Sequence, residues 1–524
     1  MLLDAIIIGG GHNGLVCASY LARAGKKVRI LERAAVVGGA AITEEFHPDF
    51  RNSVASYTVS LLNPKVIRDL DLHRHGLKIV ERRVNNLWPN DNGDFLAFPV
   101  GSEALKAEIA RYSPADAEAL QRYSRDTGMV ADLIRDYLLK TPPNAGGGIR
   151  DLVKMAGFGN RLRKLPLADQ RIVMDIFSKS VADFLALYFD NEFVMGAFAF
   201  DGLVGNYADT HTPGSAYVLM HHAFGEVNGK QGLWGHAIGG MGAITQAMAA
   251  AARERGVQIE VNREVEQVLV ENRRAVGVRL ANGETVRARV VVSNLNPSLL
   301  YGRLVDPAEL SAEFSRRIGQ YRNGSGTFRM NVALNALPQF TCLQQQERAS
   351  ADHLTGGIVI GPTMAYLDRA YRDAREHGWS SAPLVEMLIP SLLDDSLAPP
   401  GQHVASLFCQ QFDPDLDWDQ HRDAAAECIL DQVEKYAPGF RQSVVGRQVL
   451  SPLDLERKFG LTRGDIMHGV LSLDQMFSAR PMLGHGDYRA PISGLYMCGA
   501  GTHPGGGVTG APGHNAAREI LRDI

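Results

Sequence analysis

At 524 residues the chain is longer than one hydrophobic core ordinarily serves, so two or more domains are expected. Its 45% hydrophobic and 21% charged residues, with a formal net charge of −4, are those of an ordinary globular protein and exclude a nucleic-acid partner, which would need a basic face. The five cysteines, Cys17, Cys342, Cys409, Cys428 and Cys498, lie far apart and form no CxxC, which excludes a local dithiol centre; they read as reduced thiols of a cytoplasmic protein, and no metal site is expected.

The chain opens with DAIIIGGGHNGLVCASYLARAG, a strand, a glycine turn and a helix start, and supplies Glu32 at the end of the next apolar run, VRILER. GxGxxG alone is weak; inside a βαβ unit with an acidic residue about 20 positions on, it has the geometry of a dinucleotide site. Gly9 permits the tight turn, Gly11 lets backbone approach the pyrophosphate, Gly14 lets helix pack on strand, and Glu32 is placed for a ribose hydroxyl pair. The first strand begins too early for a signal peptide to precede it, and no run of about 18 uncharged apolar residues marks a transmembrane helix. Gly38 and Gly39, after the second strand, suggest another close approach of backbone to cofactor.

From about residue 84 helical periodicity takes over, broken by TPPNAGGG at 141–148. Residues 150–171 carry six basic and two acidic residues with apolar positions between them, the pattern of a solvated face or of peripheral contact with an anionic inner-membrane surface. FVMGAFAFDGLVG suits a hydrophobic tunnel or plain core. GLWGHAIGGMGAITQAMAAAARERG then reads as a loop feeding a helix, and VQIEV, EVEQVLVE, AVGVRLANGETV and RARVVVSN as a small antiparallel meander. Residues 305–465 mix strand-like and helical runs, and PISGLYMCGAGTHPGGGVTGAPGHNAAREILRDI closes with strand, glycine loop and helix. The expected fold is therefore α/β: a discontinuous Rossmann-like nucleotide domain (1–83, 225–304 and 466–524) threaded by a substrate domain of sheet plus helices (84–224 and 305–465).

Gly505, Gly507 and Gly510 repeat GxGxxG literally, yet they lie too far past the preceding strand, and no second strand follows to supply an acidic partner. An independent NAD site is rejected. A loop and helix N-terminus that grip the far end of a long dinucleotide fit better, and FAD is the dinucleotide that needs such a grip.

IIIGGGHNGL, LERAAVVGGAA, GGMGAITQAMA and GLYMCGAGTHPGGGVTGAPG together resemble the phytoene desaturase and carotenoid isomerase-like flavoproteins, within the amine-oxidase-like FAD superfamily. GHNGL, VVGGAAITEE, ASYTVSLL and GTHPGGG further resemble its branch called pyridine nucleotide-disulphide oxidoreductase domain-containing protein 2. The resemblance implies FAD, with Gly9, Gly11 and Gly14 on the pyrophosphate, Glu32 on the ribose and Arg33 beside the adenine. It implies Gly38, Gly39 and Ala40 along the cofactor, Val265 offering main chain to adenine, and Gly240 and Met241 on the flavin side. Ala500, Gly501, Pro504, Gly507 and Val508 would border the ribityl chain and ring.

The implied chemistry is desaturation or saturation of carbon–carbon bonds in an apolar, isoprenoid-like substrate, with oxygen, a quinone or a redox protein as electron acceptor. His503 and His236 are the candidate proton carriers, each equally readable as a structural histidine; His221 and His222 are weaker candidates. A redox-neutral double-bond isomerase, an amine oxidase and a non-catalytic flavin-binding protein share these motifs. After Lys230 only Lys435 and Lys458 remain, which weighs against an amine oxidase that relies on a lysine near the flavin. The insertions leave room for a homo-oligomer surface.

Overall fold

The apolar, β-branched run at the N-terminus forms a strand, Leu3–Ile8, whose last four residues are buried because strands lie on both sides of it. The computed structural model describes residues 2–144 and 146–524; Ala145, within the TPPNAGGG break, lies outside the described residues. Leu3–Ile8 pairs in parallel with Val28–Leu31 and Thr285–Ser293, and Leu495–Met497 extends the parallel set beyond Thr285–Ser293. Val265–Glu271, Arg274–Leu280 and Thr285–Ser293 are an antiparallel meander, the first turn made by Asn272 and Arg273, both at positive φ. VQIEV differs from the sequence expectation: Gln258–Glu260 leaves the meander and pairs in parallel with Val28–Leu31 at the opposite edge.

A second seven-stranded sheet runs in the order Val444–Leu450, Phe328–Leu334, His403–Phe412, Trp379–Leu388, Gly357–Ile360, Val84–Pro89, Phe95–Pro99. Its last two strands come from a stretch where helical texture was expected; they are short, form a hairpin with each other, and join the sheet only through the distant Gly357–Ile360. One face packs Phe328, Met330, Met387 and Leu407 against the helix Trp418–Tyr436. The other carries Arg329, Glu386, Phe408 and Ser406. Helices between Ser102 and Ala223 form a separate core around Tyr123, Phe184 and Phe189. Among the described residues no helix is long and apolar enough to cross a membrane.

The helices His12–Arg23 and Ala511–Asp523 pack directly on each other. A Cβ at Gly513 would stand 2.2 Å from the Asn13 carbonyl oxygen, and one at Gly14 would stand 2.4 Å from that of Gly9. Only glycine allows either contact. Tyr20 and His514 close the far side of the helix pair edge to face, with ring centroids 4.9 Å apart. Replacing Gly513 by alanine should force the helices apart at a cost of about 2 kcal/mol, read as a lowered urea midpoint; an unchanged midpoint would refute this account of the packing.

Candidate functional site

The helix His12–Arg23 has Gly11 at its N-cap with no side-chain cap, so its first amide groups face outward unsatisfied. They open on a cleft of about 260 Å³ lined by the glycine turn, Glu32–Ala34, Gly38–Ala40, Val265, Asn294–Asn296 and Ala500. Glu32 is 8% exposed; one carboxylate oxygen accepts the Gly10 amide at 2.7 Å and the other the Ala34 amide at 2.8 Å. The carboxylate is thus fixed at the cleft rim with lone pairs to spare for hydroxyl donors. Arg33 is pinned by two hydrogen bonds from its guanidinium to the Arg457 and Lys458 carbonyls. Buried polar atoms without a partner, His12 Nε2, Asn13 Oδ1 and His468 Nδ1, cluster on the same side. A bare helix N-terminus, a lining that includes Gly9, Gly11, Gly38 and Gly39, and these unsatisfied atoms fit a dinucleotide.

A second cavity of about 140 Å³ shares His12, Ala40, His468 and Ala500 with the cleft. Met241, Gly507 and Val508 line it, with Tyr57, His221, His222 and Trp234. Burial holds His12 and His222 at about 4, and His221 and His468 at about 3, so these walls are uncharged at neutral pH. Neither ring nitrogen of His221 has a hydrogen-bond partner, although the ring faces the Gly506 backbone. Arg480 fixes the loop that joins the two cavities: fully buried, it donates to the Ala500, Met467, Gly469 and Gln475 carbonyls.

Of the residues singled out in the sequence, Gly9, Gly11, Glu32, Arg33, Gly38, Gly39, Ala40, Val265 and Ala500 come together on the cleft, and Met241, Gly507 and Val508 on the second cavity. Gly14, Gly240, Gly501 and Pro504 stand behind these walls; Gly240 caps the helix Met241–Glu254 against Thr43 and Ser53. His503 and His236 also lie off both walls. His503 donates from Nε2 to the Tyr137 carbonyl at 3.0 Å, and burial lowers it to about 4. His236 Nε2 meets Asp394 at 3.0 Å. Burial works against ionising Asp394, but His236, Ser396 and the Gly239 amide outweigh it and hold the carboxyl at about 2.

Sequence reasoning missed His12, Asn294, His468 and Tyr57. His12 stands in a variable position of GxGxxG, and Asn294 was visible as the residue ending RARVVVSN. Cys17 and Cys498, remote in sequence, meet in the core; burial first, then the neighbouring thiol, pushes Cys498 well above the thiol range, which suits a packed, unreactive pair.

Glu32→Ala should weaken FAD retention about 10- to 100-fold, the worth of hydrogen bonds to a charged group; unchanged flavin content after extensive dialysis would refute the assignment. The depressed histidines predict a pH dependence of stability. Between about pH 6.5 and 4 the unfolded chain binds protons that these folded rings refuse, so stability falls as pH is lowered, by up to about 1.4 kcal/mol per pH unit for each ring. Thermal midpoints from pH 7 to 4.5 should show this slope, reduced in His503→Gln; an equal slope in that variant would contradict it.

The family model described as flavin containing amine oxidoreductase matches residues 14–521. The chain is similar to the pyridine nucleotide-disulfide oxidoreductase domain-containing protein 2 of Rattus norvegicus, 39% identical over 99% of this chain and 94% of that protein. It is also similar to the neurosporene-forming phytoene desaturase of Cereibacter sphaeroides, 27% identical over 97% of this chain and 92% of that protein. The solved structure of a putrescine oxidase bound to putrescine shares the fold, with a TM-score of 0.61 at 16% identity over 100% of this chain and 99% of that one. The cofactor is FAD and the protein is an FAD-dependent oxidoreductase. The chain belongs to the flavin-containing amine oxidoreductase family.

Proposed function

We propose that the protein desaturates or saturates a carbon–carbon bond of an apolar, isoprenoid-like small molecule. The observation that carries this reading is the second cavity, which adjoins the FAD cleft and is walled by Leu61, Val204, Met241, Ile244 and Ile466 with uncharged histidines. Bound FAD supplies the hydride chemistry. The chain's own part is to orient an apolar molecule against the Gly507–Val508 loop, exclude water, and offer it uncharged imidazoles: His221, held near 3, carries no charge to repel such a substrate. The phytoene desaturase likeness supports carbon–carbon chemistry. So does the second cavity's lining, which includes no lysine among the described residues. Electrons would leave to oxygen, a quinone or a redox protein. Peripheral contact with an anionic membrane is part of the proposal: Ile149–Arg163 buries none of its residues, and Ile149, Leu152 and Val153 are exposed beside Arg150 and Lys154.

Amine oxidation is a second reading, favoured by the family match and by the putrescine oxidase fold. Anaerobic incubation of the flavin-loaded protein with a lipid extract, following flavin bleaching and product mass, separates the readings. Bleaching with loss of two hydrogens is expected for desaturation, and a pre-reduced flavin that reoxidises with a gain of two for saturation. A product of unchanged mass would assign isomerisation instead. Bleaching by an amine panel and not by the extract would move the assignment to amine oxidation.

A further inference from the structure

The wall of the second cavity nearest the substrate-domain sheet is polar, and behind it a buried guanidinium is short of partners. Across that sheet Glu386, Phe408 and Arg329 are successive cross-strand partners and so share one face. Tyr57, which lines the cavity, lies over this row: its ring stacks on Phe408 with centroids 5.1 Å apart, and the Arg329 Cζ sits 4.6 Å from its centre. The Tyr57 hydroxyl donates to Glu386 at 2.5 Å. Arg329 is 1% exposed; its Nη2 donates to Ser406 at 2.8 Å, while Nε and Nη1 have no partner. Arg82, also buried, donates to Thr58 and lies beside Trp234, and both Thr58 and Trp234 line the same cavity.

Two guanidinium groups thus face Glu386, which in turn neighbours Asp201. Burial, reinforced by Glu386, lifts Asp201 to about 7, and burial raises Glu386 against the pull of Arg82, Tyr57 and Arg329, while Arg329 keeps two donors unpaired. A buried guanidinium with unsatisfied donors is costly, and an anion is the group that satisfies it. A protonated amine would meet a guanidinium there, which has donors and no acceptor to offer it.

We propose that this wall is an anion-binding subsite, at which Arg329, backed by Arg82, receives the carboxylate of an amphiphilic substrate whose apolar body fills the cavity. Tyr57 stands between the cavity and Arg329, so the entering carboxylate turns its ring aside and its hydroxyl leaves Glu386. The inference rests on reading this cavity as the substrate site and replaces a purely hydrocarbon substrate with one that has a charged end.

The test is binding, not turnover. Decanoate, decanol and decylamine, each below its critical micelle concentration, are titrated into the flavin-loaded protein while flavin absorbance and tryptophan fluorescence are followed. Decanoate should bind about 10- to 100-fold tighter than decanol, the range for a charge-assisted hydrogen bond, and decylamine weakest. Arg329→Met should erase the advantage of decanoate and leave decanol unchanged, and Arg329→Lys should restore part of it. Glu386→Gln, which removes the competing carboxylate, should tighten decanoate alone, and it tests the subsite even if Arg329 variants fail to fold. Equal binding of decanol and decanoate to the unaltered protein would overturn the subsite and leave the cavity assignment standing. No response to any of the three would overturn both.

Discussion

The site depends on two helices that touch with no side chain between them. Because Gly513 rests against the backbone of Asn13, the helix Ala511–Asp523 can lie on the helix that carries the dinucleotide turn. The loop before it, Gly507–Val508, is thereby delivered to the wall of the second cavity. Arg480 holds the rest of that loop by donating only to backbone carbonyls, so its position is set by main-chain geometry and not by neighbouring side chains.

The two cavities differ in electrostatic character. The cofactor cleft offers backbone amides, a helix N-terminus and one fixed carboxylate, a setting that accommodates phosphate and ribose together. The second cavity is walled by neutral imidazoles and aliphatic groups, with its charges gathered behind Tyr57 at one wall. Four residues belong to both, so a molecule in the second cavity lies directly against the cofactor's route.

What the sequence made legible was local. The βαβ unit and the terminal glycine loop are contiguous patterns whose physics acts within a few turns of chain, and they led to FAD and to the glycine turn, Glu32 and Ala500 on the cleft. The polar wall of the second cavity was hidden because it is assembled across distant strands. Arg329 and Glu386 read as ordinary charges within apolar runs, and only strand pairing places them side by side. Tyr57 sits in an irregular segment with no periodicity to point it anywhere. Val84–Pro89 and Phe95–Pro99 contain asparagine and proline and become strands by pairing with each other and with Gly357–Ile360. The two histidines chosen from motif position proved to hold backbone and loop geometry, His503 on the Tyr137 carbonyl and His236 on Asp394, a distinction that depends on three-dimensional neighbours.

The contact between the helices His12–Arg23 and Ala511–Asp523 also sets a timetable for biosynthesis. The first strand and turn leave the ribosome early, but the helix they must pack against is translated some 500 residues later. A nascent chain can pair its first strands and build its helical core before the contact between its first and last helices can close. The packing around the glycine turn is therefore completed only when the helix Ala511–Asp523 has been made.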